Sequence, residues 1–197
     1  MVILASGSPR RRELLSALCS DFKIITADVD ETCDEQDPEK LSESLARKKG
    51  IAVYEKLCAE NSPFAKSPII SADTVVFCDG EIMGKPTDES DAQRMLKKLS
   101  GKAHTVATGI CVIKGGVPFS SSVTTKVFVD ELTDTEIDSY ISSGDPFDKA
   151  GAYGIQGIFS KHISKIEGCY FNVVGLPVNA LGKLLKDTAK IDLNAEL

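Results

Sequence analysis

An apolar run that breaks into a glycine turn and then a helix start loaded with arginine constrains this chain more than any other feature. Val2-Ile3-Leu4-Ala5 is apolar throughout, as a strand covered on both faces would be, and Ser6-Gly7-Ser8-Pro9 ends it. Pro9 suits a first helical position, where its missing N–H leaves nothing unpaired, and Leu14, Leu15 and Leu18 then recur at helical spacing. Arg10, Arg11 and Arg12 therefore cluster on a first helical turn, beside free backbone N–H groups and the positive end of the helix dipole. Such a turn binds phosphate, with Ser8 adding a hydroxyl and each guanidinium offering paired donors to oxygen.

The patch is local. The chain carries a net charge of −6, which disfavours a general nucleic-acid or membrane surface and favours a small anionic ligand. No apolar run approaches a membrane span, and no basic region precedes the short apolar start, so neither a membrane segment nor a secretory signal is expected. Six cysteines form no C-x-x-C pair and mostly lie in apolar segments, so reduced, mostly buried thiols in a cytoplasmic protein are expected. The two histidines, His104 and His162, make no zinc set.

Strand and helix patterns alternate along a single domain spanning 1–197. Strands are expected at 22–27, 69–77, 81–83, 105–113 and 123–129, and helices at 41–57 and 91–99. Asp79-Gly80 and Gly115-Gly116 read as hairpin turns. Thr133-x-x-Glu136 is a capping box for a helix carrying Ile137, Tyr140 and Ile141. A last helix is expected from Pro177, carrying Leu181, Leu184 and Leu185, with a frayed tail after Lys190. Helical connections first and hairpins later predict an α/β fold with a mixed central sheet flanked by helices.

Neither G-x-x-x-x-G-K-[ST] nor G-x-G-x-x-G is present, so the usual P-loop and dinucleotide readings fail. Other polar groups stand out. Asp73 interrupts the apolar run 69–77, where a carboxylate is costly unless paired, metal-bound or open to a cleft. Lys49 follows Arg47 and Lys48 on a helix, Lys85 follows a hairpin, and Glu31 sits in the acidic run 28–35. For these the plain alternatives are a hydrogen-bonded turn, a solvated basic face, a surface lysine and a solvated acid. The segment 148–157, DKAGAYGIQG, holds Lys149 and Gln156 among glycines and small residues and reads as backbone pressed against a ligand.

Taken in order, LASGSPRRRELL, Leu45-Ala46-x-x-Lys49, SADTVV, GKP, Ser100-Gly101-x-x-His104-x-Val106, DKAGAYGIQG and Asn172-Val-Val-Gly-Leu-Pro177 resemble the Maf family of nucleoside triphosphate pyrophosphatases. The resemblance implies two lobes around a deep cleft and hydrolysis of a nucleoside triphosphate to the monophosphate and pyrophosphate. It also implies a divalent metal, Mg²⁺ or Mn²⁺, and a homodimer. Arg10, Thr74 and Gln156 match the branch acting on dTTP and UTP rather than on 7-methyl-GTP. Asp73 resembles the family's proton acceptor, and Asp73 with Glu31 are the expected metal holders. Arg10, Arg11, Lys49, Lys85 and Lys149 would neutralise the triphosphate, whereas Arg12 falls at a variable position and is expected on the surface. Gly50 and Cys169 depart from the common alanine and serine. The competing readings are a purine-type (inosine triphosphate) pyrophosphatase and a nucleotide-binding regulator of septum formation.

Overall fold

The computed structural model describes residues 1–191, so the tail expected to fray lies, from position 192, outside the described residues. Strands β1 (Val2–Leu4), β2 (Phe22–Ile24), β3 (Ile69–Cys78), β4 (Glu81–Met83), β5 (Ala103–Lys114), β6 (Val117–Val129) and β7 (Ile163–Glu167) form one sheet. Their order is β2-β1-β3-β5-β6-β7, with β4 also paired to β3. β1 lies parallel to β2 and β3, and the remaining pairs are antiparallel. The parallel strands are joined through helices α1 (Pro9–Ser16) and α2 (Pro38–Ala59), as parallel crossovers require. The antiparallel ones turn at Asp79-Gly80 and Gly115-Gly116, where all four residues take positive φ, the geometry of a tight hairpin turn.

The expected elements are present with shifted ends. β2 stops at Ile24 because its partner β1 turns away into Ser6; the Ile25 amide makes a last bond to the Leu4 carbonyl at 3.1 Å. α2 starts at Pro38 because Asp37 accepts from the Glu39 and Lys40 amides, and Asp88 caps α3 (Glu89–Leu99) in the same way. β6 begins at Val117, not 123. Its early part holds Pro118 and three serines, poor strand formers, but it pairs with β5 in continuous register. β7 reaches only Lys126–Val129, so Pro118 sits on an edge where its missing N–H does no harm. β7 itself was not expected; it is a short, largely exposed edge strand with little apolar signal.

Helices cover both faces. α2 packs Ala46, Val53 and Leu57 against Ile3, Ile69, Cys111 and Ile113. On the other face, α1, α6 (Val178–Lys183) and the turn Leu184–Thr188 place Leu15, Leu181 and Leu185 over Val2, Leu4, Ile70 and Val112. α3 and α4 (Asp134–Ser142) place Met95, Leu96, Leu99, Ile137 and Tyr140 over Val76, Val106 and Val127. α5 (Tyr170–Val174) lies against β5 and β6. Cys19, Cys78 and Cys111 are buried, but Cys33, Cys58 and Cys169 are not, so burial of the thiols is less complete than their apolar neighbours implied.

One detail of β3 positions everything that follows. On one edge its start, Ile69 and Ile70, pairs with β1, and its end, Val76–Cys78, pairs with β4. Between them, residues 71–75 have no strand partner on that edge among the described residues. The notch opens at the carboxyl end of β1, where open α/β sheets bind ligands.

Candidate active site

The notch opens into a cavity of about 940 Å³. Ser8, Arg10, Arg11, Glu31, Lys49, Asp73, Thr74, Lys85, Lys149 and Gln156, all singled out from sequence, line it. Arg12 is exposed and outside the lining, in keeping with a surface helix position.

Asp73 is only 7% exposed. It faces α2, where Lys49 Nζ lies 2.5 Å from its Oδ1 and 3.0 Å from Glu31 Oε1. Helix phase separates the three basic residues of α2. Arg47 points to solvent, Lys48 bonds to the Thr32 carbonyl at 2.8 Å, and Lys49 turns inward, so the solvated-face alternative fails for Lys49 alone. α2 reaches this depth because Gly109 stands directly opposite Asp73 in β5. A Cβ on Gly109 would lie 2.2 Å from the Ser42 backbone.

Thr74 leaves the other face of the sheet, toward Arg11. That guanidinium is held at three points: Nε donates to the Gly175 carbonyl at 2.8 Å, Nη1 to Ser6 Oγ at 3.3 Å and Nη2 to Thr74 Oγ1 at 3.1 Å. Burial lowers the Arg11 guanidinium from its ordinary value while Asp73 pulls it back, and an arginine so placed keeps its charge. Ser8 caps α1, accepting from the Arg11 amide.

Arg10 crosses the cavity. Its Nη1 meets Asp148 Oδ2 at 2.9 Å. Asp148 and Asp145 share Lys149, whose Nζ lies 2.7 Å and 2.9 Å from them, and Tyr140 Oη donates to Asp145 at 2.7 Å. Burial pushes both carboxyls up, but bonds from Tyr140 and Lys149 to Asp145, and from Lys149 and Arg10 to Asp148, outweigh it and hold both below the usual range. Burial, reinforced by the Asp145 contact, raises the Tyr140 hydroxyl. Lys85 is exposed and has no ion-pair partner among the described residues; Gln156 is exposed at the rim.

The glycine-rich segment lines the cavity, and its glycines also serve packing within the protein. Gly151 (φ 69°) and Ala152 (φ 59°) are left-handed, and the Gly151 amide bonds to the Gly84 carbonyl at 2.9 Å. A Cβ on Gly151 would meet Val76 at 3.0 Å, and one on Gly154 would meet the Lys149 stem at 2.8 Å. These glycines permit close packing of protein on protein, which brings the loop and the Lys85 turn together at the cavity wall.

Several participants were not singled out beforehand. Asp145 precedes Lys149 by four positions, a spacing that favours ion pairing and could have flagged it. Thr108 and the Asn172 side chain give no such signal, because their partners are distant in sequence, whereas Ser6 meets Ser8 and Arg11 within its own turn. His104, quoted only within a motif, is buried with Nε2 2.6 Å from Tyr153 Oη, and burial lowers its pKa to about 4.

No group of three or more His, Cys, Asp or Glu side chains suited to a metal occurs among the described residues. Asp73 and Glu31 nevertheless converge on one cation, the Lys49 ammonium, so two hard oxygen donors face a common point.

A family model described as Maf-like protein matches residues 1–188. A protein of Caldicellulosiruptor saccharolyticus called dTTP/UTP pyrophosphatase is 47% identical over 191 residues, covering 94% of this chain and 93% of its own length. Proteins of the same description from Acetivibrio thermocellus and Thermococcus gammatolerans are 48% and 46% identical, covering 94% and 93% of this chain and 94% and 95% of their own lengths.

Proposed function

The chain belongs to the Maf family, and from that premise we propose that it hydrolyses dTTP and UTP at the α–β phosphoanhydride, releasing the nucleoside monophosphate and pyrophosphate. The observation that carries this reading is the meeting of five cationic side chains, from four separate segments, with one nearly buried carboxylate in a single cavity. A triphosphate repels a nucleophile until its charge is neutralised. Arg10, Arg11, Lys49, Lys85 and Lys149 supply that charge from fixed directions, which also positions the α-phosphorus.

In this reading Asp73 orients the attacking water and accepts its proton on a carboxylate oxygen as the bond to the α-phosphorus forms. The leaving pyrophosphate is stabilised by the lysines and by Arg10. Lys49 compensates the charge of Asp73 before substrate arrives. Asp73 and Glu31 would hold Mg²⁺ or Mn²⁺, since one or two carboxylates, completed by waters and phosphate oxygens, is a common way to bind such ions. When bound, the ion supplies charge neutralisation and a more acidic water. Gln156, whose amide both donates and accepts, and Thr74 read the base edge.

The two lobes of this reading are the walls on either side of the notch: β1, β2, α1 and α2 on one, and β4, α3, α4 and the 145–157 segment on the other. A cytoplasmic location and a homodimer complete the proposal. No helix among the described residues is long and apolar enough to cross a membrane.

The test is pyrophosphate release from dTTP, UTP, dATP, inosine triphosphate and 7-methyl-GTP with Mg²⁺ or Mn²⁺. Preference for dTTP and UTP is expected. Preference for inosine triphosphate or 7-methyl-GTP, or release of orthophosphate instead, would refute the reading.

A further inference from the structure

A polar chain beneath Thr74 sets the direction of its hydroxyl. Thr108 stands opposite Thr74 in β5, is fully buried, and has its Oγ1 2.9 Å from the Asn172 carbonyl oxygen. A carbonyl only accepts, so the single proton of Thr108 goes to Asn172. Thr74 Oγ1 lies 2.9 Å from Thr108 Oγ1, and with the Thr108 proton committed, Thr74 must donate in that contact. Arg11 Nη2 donates into the same Thr74 oxygen. Toward the cavity Thr74 therefore retains a lone pair and no proton.

Asn172 holds this polarity firmly. It is fully buried, and its Nδ2 donates to the Val106 carbonyl at 3.0 Å and to Thr125 Oγ1 at 2.9 Å. The Val106 carbonyl only accepts, so the amide nitrogen must face it, which fixes the amide orientation. Thr125 sends its own proton to the Cys169 carbonyl at 3.1 Å. Every hydroxyl proton in the chain is thereby assigned, while Asn172 Oδ1 is buried with no hydrogen-bond partner among the described residues.

We propose that Thr108 and Asn172 are positioning residues that make Thr74 an acceptor only, so that the site selects a pyrimidine presenting a ring N–H to it. The inference rests on the pyrimidine triphosphate reading above. Thymine and uracil, joined to the sugar through N1, each carry one N–H, at N3. Cytosine presents a lone pair at that position, which meets the lone pair of Thr74.

Thr108→Val tests this. It keeps the shape of the side chain but removes the acceptor for the Thr74 proton, which is then able to turn into the cavity. The Asn172 carbonyl keeps a partner in the Gly175 amide at 3.0 Å. The quantity read is the ratio of kcat/KM for UTP to that for CTP. It is expected to fall about tenfold in Thr108→Val and to hold its wild-type value in Thr108→Ser, which restores the hydroxyl. A merely structural role would lower both substrates together and leave the ratio unchanged, and that result overturns the inference. If Thr108→Val does not fold, Thr74→Val reads the same contact from the cavity side, where a retained UTP preference is equally fatal. A wild-type protein idle on both triphosphates removes the pyrimidine reading and this inference with it.

Discussion

Asp73 and Thr74 are neighbours in β3 whose side chains leave opposite faces of the sheet, one to Lys49 and the other to Arg11, yet both line one cavity. In a strand paired on both edges, two such residues would be separated by the sheet itself. Here the edge of β3 is open between β1 and β4, so a ligand in the notch can touch both.

The Asp73 side of that arrangement is tested by Asp73→Asn. The amide keeps the size of the side chain and can still accept from Lys49, but it is not a base. Turnover is expected to fall at least about 100-fold with melting temperature close to wild type. Near-wild-type pyrophosphate release from the folded variant would remove Asp73 from the chemistry.

Lys49→Met probes the ion pair from the other partner. It leaves the carboxylate of Asp73 without its cation in a site that is 10% exposed at the side chain. Urea denaturation is expected to show a loss of about 2 kcal/mol, less than for a fully enclosed pair because Lys49 keeps some solvent contact. Adding Asp73→Asn to it should recover part of that stability and none of the activity. Equal losses in the single and double variants would mean that the charge is not the cause.

Arg10 and Asp148 join opposite walls of the cavity, so substrate phosphate competes with Asp148 for Arg10. Arg10→Ala is expected to raise KM for UTP about tenfold, whereas Asp148→Asn is expected to lower it. The same carboxyl carries a pH signature. Asp145 and Asp148 are held below the ordinary 3.8, so their stabilising contribution is complete above that value and is lost as pH falls through their folded-state values. Acid unfolding followed by circular dichroism should be less steep in Asp148→Asn.

His104 acts in the same sense over a higher pH window. Burial depresses it from 6.5 to about 4, so between those values the unfolded chain binds a proton that the folded chain does not. Stability therefore rises with pH across that window, by about 3 kcal/mol for a fully excluded proton. His104→Gln, which cannot titrate, is expected to flatten the pH dependence of stability between 4 and 6.5. A slope as steep as wild type would assign the effect to other groups.

Gly109→Ala separates packing from charge. The added methyl would overlap the Ser42 backbone, so α2 must shift and Lys49 must move from Asp73. A loss of about 2 kcal/mol is expected, together with reduced turnover. Gly182→Ala, in α6 with open space around it, is the control and is expected to be neutral or stabilising by up to about 1 kcal/mol.

Most of the fold was legible because it is written in local patterns. A continuous apolar, β-prone run marked β3, alternation marked β5, paired turn residues marked the hairpins, and Thr133 with Glu136 marked the start of α4. β7 and the first half of β6 escaped because their pairing comes from a neighbouring strand rather than from their own residues.

By itself the sequence determined the alternation of elements, the local anion site at Ser8 to Arg11 and the identity of ten side chains that share the cavity. Only the tertiary structure decided that Lys49 meets Asp73 and Glu31, since that depends on the seating of α2 against Gly109. It alone joined Arg10 to Asp148 across 138 positions and oriented the Thr74 hydroxyl through Thr108 and Asn172. Residue type and spacing set what a side chain can do. Its partner, and hence the direction of each proton and charge, is set by contacts between segments that no local pattern encodes.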